Sequence, residues 1–373
     1  MKTTDFHYDL PPESIAQRPL SERDASRMLL LDRRTGAFDD RLFKELPSVL
    51  RGDELIVVNN ARVIPARLLG RRMGVHSELP HQSKSVSGEF LKSEIEVLLV
   101  REVEPEVWEA LVRPGRKVRV GERVVFREGE LEGEVEARGE FGLRRVRFRS
   151  AGGVRKAIER LGHVPLPPYI RRSDESNDRE RYQTIFAREG TAIAAPTASL
   201  HFSPAVLEEL EARQIEMAEV TLDVGLGTFE PVRTEKIEDH PIHVERYEIS
   251  KETAGSIHRA KRENRPVLAV GTTVVRALED AAQKSIAKQS QDARSTQQSI
   301  EITPGAAEAN IFLLPGSRFH VVDQMLTNFH LPESTLLALV AAFAGQDHTL
   351  TAYEHAVEAK YRFYSYGDCM LIR

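Results

Sequence analysis

The stretch VTLDVGLGTFEPV, residues 220–232, joins a carboxylate, Asp223, to two glycines and a Thr-Phe pair. The alternating apolar residues ahead of Asp223 predict a strand. Gly225 and Gly227 would let the backbone approach another molecule closely, because glycine has no side chain. The pattern fits a tight strand connection, a nucleotide cradle or part of an active site.

A second stretch, AAPTASLHF at residues 194–202, places small residues and a histidine just before a predicted helix. Backbone N–H groups at helix starts lack partners within the helix, and ligands often bind at such junctions. His201 could move a proton near neutral pH, because the reference pKa of histidine is about 6.5. A packed histidine bonded to a carbonyl is the alternative.

Two further stretches could contribute polar groups to a pocket. VGTTVVR, residues 270–276, predicts a glycine turn from strand to helix, which would direct N–H groups toward a carboxylate or a phosphate. An ordinary strand–helix turn fits it equally. LTNFHLPEST, residues 326–335, places Asn328 and His330 on a loop before an apolar helix, as a cap and turn or as one wall of a pocket.

Other reaction classes find little support. His243 and Glu245 in HPIHVE would share one strand face and could bind a metal, but Pro241 interrupts the segment and no HExxH motif is present. No G-x-S-x-G elbow indicates a serine hydrolase. The single cysteine, Cys369, excludes an internal disulfide framework and a cysteine-based zinc cluster. We expect no metal.

The composition is that of an ordinary globular protein of 373 residues with 41% hydrophobic content, which predicts two or three domains. No apolar run reaches the roughly 20 residues of a membrane span, and the N-terminus lacks a secretion signal, so we expect a cytoplasmic protein. The net charge of −5 is not typical of a dedicated nucleic-acid binder. Basic residues nevertheless cluster near 71–72, 113–119, 144–149 and 171–172, as a basic groove or as a solvated sheet face with interleaved acids.

The elements that would position these residues follow two patterns. Residues 1–65 and 151–373 mix predicted strands with predicted helices, which predicts a discontinuous, layered α/β domain. Residues 66–150 carry short alternating strands separated by turns, which predict an inserted small antiparallel β-barrel.

Within the α/β domain we predict a helix over 204–213 with Ser203 as N-cap, and a strand, glycine turn and helix over 265–283. NIFLLPG, 310–316, predicts a strand, and KSIAKQSQDARSTQQS, 284–299, predicts a mobile loop.

The order of the motifs carries more information than any one of them. RDASRMLLLD, VVNNARVIPARLLG, GHVPLPPYI, RYQTIFA, AAPTASLHF, VTLDVGLGTFEPVR, AVGTTVVRALE, VDQMLTNFHLPESTLLALVAAFAG and YRFYSYGDCMLI together resemble the S-adenosylmethionine:tRNA ribosyltransferase-isomerases of queuosine biosynthesis. The resemblance runs from residue 3 to the C-terminus.

The resemblance implies an α/β domain with an inserted β-barrel, and transfer of the ribosyl part of S-adenosylmethionine to a tRNA. The acceptor would be 7-aminomethyl-7-deazaguanine at the wobble position, and the products epoxyqueuosine, adenine and methionine. The binding partner would be tRNA and not a membrane. The protein would be a monomer.

The resemblance also implies site residues. His201, Asp223 and His330 are the candidates for proton transfer, with His201 preferred. The S-adenosylmethionine site would comprise Pro196, Thr197, Ser199, Phe202, Gly225, Gly227, Thr228, Phe229, Gly271, Thr272, Thr273, Arg276 and Asn328. The tRNA would contact Arg62, Arg144, Arg145, Arg147, Tyr169 and Arg171.

Four positions depart from the family pattern: Asp223 stands where histidine is common, Ser199 replaces glycine, Ala61 replaces threonine and Val274 replaces serine. Asp223 is the most consequential, because an anion replaces an imidazole. We expect its side chain to orient the ligand. Two other functions stay open: a non-catalytic RNA-binding protein, and an α/β enzyme that acts on a free nucleoside.

Overall fold

The computed structural model describes residues 1–73, 93–223, 225, 232–291 and 301–373. The chain forms two compact units: a sheet unit, Met1–Arg62, Pro167–Arg172 and Glu180–Arg373, and a barrel unit, Val63–Leu166 and Ser173–Arg179. From the sequence we predict the inserted barrel over residues 66–150.

The described part holds seventeen strands and eight α-helices. The strands are β1 Arg27–Leu31, β2 Phe38–Leu42, β3 Leu55–Asn59, β4 Ala61–Val63, β5 Arg67–Arg72, β6 Glu94–Glu104, β7 Val107–Arg113, β8 Arg123–Arg127, β9 Leu131–Arg138, β10 Leu143–Arg149, β11 Glu189–Ala192, β12 Glu216–Asp223, β13 Glu245–Ile249, β14 Val267–Val270, β15 Gly305–Ala309, β16 Gln324–Asn328 and β17 Cys369–Ile372. The helices are α1 Leu46–Val49, α2 Val154–Leu161, α3 Asp178–Arg181, α4 Pro204–Ala212, α5 Lys251–Arg262, α6 Thr272–Gln291, α7 Thr335–Ala344 and α8 Gln346–Glu358.

The sheet unit is built on a nine-stranded mixed sheet in the order β15-β13-β12-β3-β14-β16-β17-β1-β2. Its centre, β12, β3, β14 and β16, is parallel. In β3, Leu55 and Val57 pack into a core that includes residues of α5 to α8, whereas Ile56 and Val58 pack into a core that includes residues of α1 and α4. Both faces are covered, which explains why β3 is apolar throughout.

The barrel unit contains a closed antiparallel barrel in the order β10-β7-β6-β5-β8-β9. Burial alternates along its strands, as in β9 and β10, so every second side chain fills the interior. The predicted α/β class with a small antiparallel barrel is therefore confirmed.

Several local predictions are confirmed. The Ser203 side chain accepts a hydrogen bond from the Val206 N–H at 3.2 Å and caps α4. The predicted strand, turn and helix correspond to β14, Gly271 and α6.

Four local predictions were wrong. NIFLLPG is not a strand; its apolar side chains pack against the core without ladder pairing, and the neighbouring strand is β15. The predicted mobile loop begins too early, because α6 runs to Gln291, held in part by an ion pair from Lys284 to Asp280 at 2.6 Å. Asn328 is the last residue of β16 and does not lie in the predicted loop. His243 precedes β13, so it does not share a strand face with Glu245. The rest of the predicted loop, 292–300, lies outside the described residues.

Candidate active site

A cavity of about 200 Å³ opens in the sheet unit where β14 and β16 end. The two strands are parallel neighbours, so their carboxyl ends and the segments that follow lie at one edge of the sheet. Open α/β sheets bind ligands at this edge. Its walls include residues from 194–198, 271–273, 327–336 and 364–365, together with Tyr169.

One wall is the start of α6. Gly271 has φ +98°, a conformation that glycine adopts readily, and its N–H donates to the Leu326 carbonyl at 2.8 Å. Thr272 and Thr273 follow and line the cavity. The first N–H groups of a helix have no partner within it and carry the positive end of the dipole. This wall can therefore bind a carboxylate or another anion.

Asn328, at the end of β16, supplies a second polar group. Its Nδ2 lies 3.1 Å from the Tyr364 carbonyl and 3.3 Å from the Asp368 carbonyl, so the atom facing them must be the donor. Its Oδ1 is buried and has no hydrogen-bond partner in the described part of the chain. An unsatisfied buried acceptor costs about 1–3 kcal/mol.

His201 lies behind this wall and does not line the cavity. The Ser26 hydroxyl donates to the Arg23 carbonyl at 2.8 Å, so its oxygen accepts from His201 Nδ1, 2.6 Å away. Nδ1 therefore carries the proton, and Nε2 is the acceptor that faces Asn328 Nδ2 at 3.1 Å. Burial, together with the charges of Arg362 and Arg23, lowers the pKa of His201 to about 3. The imidazole is therefore neutral near pH 7, with both ring nitrogens engaged.

His330 lines the cavity directly. Its Nε2 lies 2.8 Å from Thr327 Oγ1, and no hydrogen bond within the described ranges reaches its Nδ1. Burial lowers the pKa of His330 to about 3, so this imidazole is also neutral near pH 7. Of the two predicted histidines, His330 is the one in contact with the cavity.

An aromatic wall completes the cavity. The rings of Tyr169 and Tyr364 lie 4.3 Å apart between centroids, tilted by 38°. The Tyr169 hydroxyl is 2.5 Å from Ser365 Oγ. Tyr364 and Ser365 belong to the motif YRFYSYGDCMLI but were not singled out from the sequence, because their role depends on packing against Tyr169 from a distant segment.

The remaining residues predicted to bind S-adenosylmethionine differ in position. Pro196 and Thr197 line the cavity. Ser199 and Phe202 do not; both are fully buried, and Phe202 packs against Phe43 and Phe186.

Arg276 does not line the cavity either. Its guanidinium pairs with Glu245 at 2.7 Å and donates to the His243 carbonyl at 3.0 Å, and both side chains of the pair are buried.

The structure describes only part of the motif VTLDVGLGTFEPV, residues 220–232. The backbone of Asp223 pairs with Arg246 across β12 and β13, and Gly225 is half-buried. The Asp223 side chain, Gly227, Thr228 and Phe229 lie outside the described residues.

The predicted tRNA contacts also differ in their surroundings. In the barrel unit Arg144 is buried and donates to the carbonyls of Gly142 and Leu143. Arg145 and Arg147 pair with Glu104 and Glu136.

In the sheet unit Arg62 is half-buried and Arg171 is exposed. No helix within the described ranges is long and apolar enough to cross a membrane. Nor does the described part of the chain group three His, Cys, Asp or Glu side chains that could hold a metal ion.

Comparisons with known proteins agree along the whole chain. A family model described as "Queuosine biosynthesis protein" matches residues 3–372. Two proteins named S-adenosylmethionine:tRNA ribosyltransferase-isomerase, from Solibacter usitatus and Carboxydothermus hydrogenoformans, are 51% and 47% identical to this chain over 374 and 373 residues, with 100% of each chain covered. The crystal structure of S-adenosylmethionine tRNA ribosyltransferase from Thermotoga maritima matches with a TM-score of 0.50 and 34% identity, covering 99% of this chain and 100% of that one. With a cavity at the carboxyl ends of its parallel strands and a family match from residue 3 to residue 372, the chain belongs to the queuosine biosynthesis protein family.

Proposed function

We propose that this protein transfers and isomerises the ribosyl moiety of S-adenosylmethionine onto a tRNA, with release of adenine and methionine. The acceptor is 7-aminomethyl-7-deazaguanine at the wobble position, and the product is epoxyqueuosine. The full-length match to relatives that carry this enzyme's name is the observation that carries the proposal. These names do not favour a non-catalytic RNA-binding protein or an enzyme acting on a free nucleoside.

The cavity has groups that suit S-adenosylmethionine as a substrate. The N–H groups at Thr272 and Thr273 would hold the methionyl carboxylate, as helix starts hold anions. Arg276 is not needed for this role, because Glu245 already pairs with its guanidinium. The faces of Tyr169 and Tyr364 would stabilise the sulfonium, because aromatic faces attract cations.

The chemistry requires proton transfers at two places. The sulfonium acidifies the ribose C5′ position, so a base must remove a proton there, and adenine must be protonated or hydrogen-bonded as it leaves. We propose that His330 takes part in proton transfer because it lines the cavity as a neutral imidazole. Asn328 Oδ1 would accept a hydrogen bond from the substrate, because it has no partner of its own.

Other parts of the site follow from the family resemblance. Asp223 would orient the ligand, and the glycines at 225 and 227 would let the backbone approach it. Pro196 and Thr197 would form the adjoining wall. The protein would act as a cytoplasmic monomer on a tRNA, with Tyr169 and Arg171 as contacts for the anticodon loop.

The test is a product assay with purified protein, S-adenosylmethionine and tRNA bearing the 7-aminomethyl base. We expect adenine and methionine to appear in equal amounts, both dependent on the modified tRNA. An unmodified transcript of the same tRNA is the matched control. A protein that releases no adenine from the modified tRNA does not have this function.

A further inference from the structure

A group of arginines in the sheet unit donates hydrogen bonds to backbone carbonyls instead of pairing with carboxylates. Arg23 donates to the Leu200 carbonyl at 3.2 Å and to the Glu180 carbonyl at 2.9 Å. Arg181 donates to the Ser21 carbonyl at 2.8 Å. No carboxylate in the described ranges forms a salt bridge with either guanidinium, and Glu180 acts on the charge of Arg23 only at longer range. Neither positive charge is therefore offset by a direct ion pair.

Two more arginines extend this surface. Arg362 donates to the Arg18 carbonyl, and the nearby Asp368 carboxylate accepts the Arg362 backbone N–H at 2.8 Å. Arg171 is exposed; its backbone N–H is anchored by Gln17 Oε1 at 2.8 Å. We call Arg23, Arg171, Arg181 and Arg362 the arginine platform.

The arginines of the barrel differ in this respect. Arg145 lies within ion-pair distance of Glu104 and Glu136, and so does Arg147. Arg149 lies 3.4 Å from Glu134. Each of these positive charges is offset by a neighbouring carboxylate, so the barrel strands attract a polyanion less than their arginine count suggests.

The platform borders the candidate active site. Arg23 and Arg181 line a small cleft of about 20 Å³, with Ser365 and Tyr366 on its wall. Ser365 also lines the larger cavity, where its Oγ contacts the Tyr169 hydroxyl. Among the described residues that line this cleft, Glu22 is the one acidic residue, against two arginines.

We propose that the arginine platform binds the phosphate backbone of the tRNA beside the nucleotide that enters the cavity. This inference rests on the proposed function and assigns a phosphate site to Arg23, Arg181 and Arg362 as well as to Arg171. Guanidinium groups bind phosphates through pairs of charge-assisted hydrogen bonds. An unstacked anticodon base would contact the tyrosines of the cavity while its flanking phosphates contact the platform.

The test measures how the affinity for an anticodon stem-loop RNA depends on salt. Arg171→Gln combined with Arg181→Gln removes two charges, whereas Arg171→Lys combined with Arg181→Lys keeps them. Each single-strand phosphate contact contributes about 0.7 to the slope of log Kd against log salt. We expect the Gln pair to lower the slope by about 1.4 and the Lys pair to stay close to wild type.

A barrel pair, Arg145→Gln with Arg147→Gln, is the matched control and should change the slope by less than half as much. An unchanged slope in the Gln pair, or a larger fall in the barrel pair, overturns the proposal. If the Gln pair does not fold, Arg362→Gln alone tests the new assignment with an expected fall of about 0.7. Adenine release by the wild-type protein is measured in parallel, so that failure of the reaction is distinguished from failure of the platform.

Discussion

Replacement of His201 by glutamine tests whether this histidine is a base or a structural residue. A side-chain amide offers one acceptor and one donor, so it can replace both the bond from Asn328 and the bond to Ser26. It cannot titrate. Because His201 does not line the cavity, we expect His201→Gln to keep turnover within tenfold of wild type, with the same pH–rate profile between pH 6 and pH 9.

The size of the effect on stability follows from the lowered pKa. His201 has a pKa of about 3 in the folded protein, against a reference value of about 6.5. The unfolded chain therefore binds the proton more tightly, so stability is fully present above about pH 6.5 and is lost as pH falls toward 3. At pH 5 the loss from this one group is about 2 kcal/mol relative to pH 8.

The assay is chemical denaturation of wild type and His201→Gln at pH 8, 7, 6 and 5. Between pH 8 and pH 5 the wild-type protein should lose about 2 kcal/mol more free energy of unfolding than the variant. His201→Leu is the companion variant, because it removes both hydrogen bonds as well as the titration. A folded His201→Gln protein whose turnover falls by 10²-fold or more would refute this reasoning, since general bases contribute about that much or more.

Two further predictions concern Arg276 and Asp223. Arg276→Met leaves the buried Glu245 carboxylate without its partner, so the free energy of unfolding should fall by about 3–5 kcal/mol in denaturant titrations. Adding Glu245→Leu should recover much of that loss, and a single variant as stable as wild type would contradict the buried pair. Asp223→His should keep steady-state turnover within tenfold, because we propose that this position orients the ligand; a fall of 10²-fold would instead assign it proton chemistry.

The fold was largely predictable because local pattern and tertiary structure agree over most of the chain. Alternation predicted the barrel, and Ser203 with the following proline predicted the start of α4. The prediction failed at 310–316, where apolar residues pack against the core without pairing as a strand. It also failed at Lys284, where a polar sequence continues a helix through contacts with Asp280 and the Glu308 carbonyl.

The site was less predictable, because the state of a side chain depends on groups far away in the sequence. His201 and His330 look equivalent in their motifs, yet His201 is enclosed by Ser26 and Asn328 and only His330 contacts the cavity. The arginine-rich runs fitted a basic groove and a solvated sheet face with interleaved acids equally well. In the structure Arg145 and Arg147 on β10 pair with Glu136 on the neighbouring strand β9 and with Glu104 on β6.

The orientation of the Asn328 side chain also depends on residues that are distant in the sequence, and this orientation bears on function. Its amide is oriented by the carbonyls of Tyr364 and Asp368, which lie 36 and 40 residues further along the chain. Since carbonyls only accept, they fix Nδ2 in place and leave Oδ1 as the group without a partner. A ligand that donates to this oxygen therefore meets an acceptor that is already oriented and desolvated, so binding there costs little side-chain entropy.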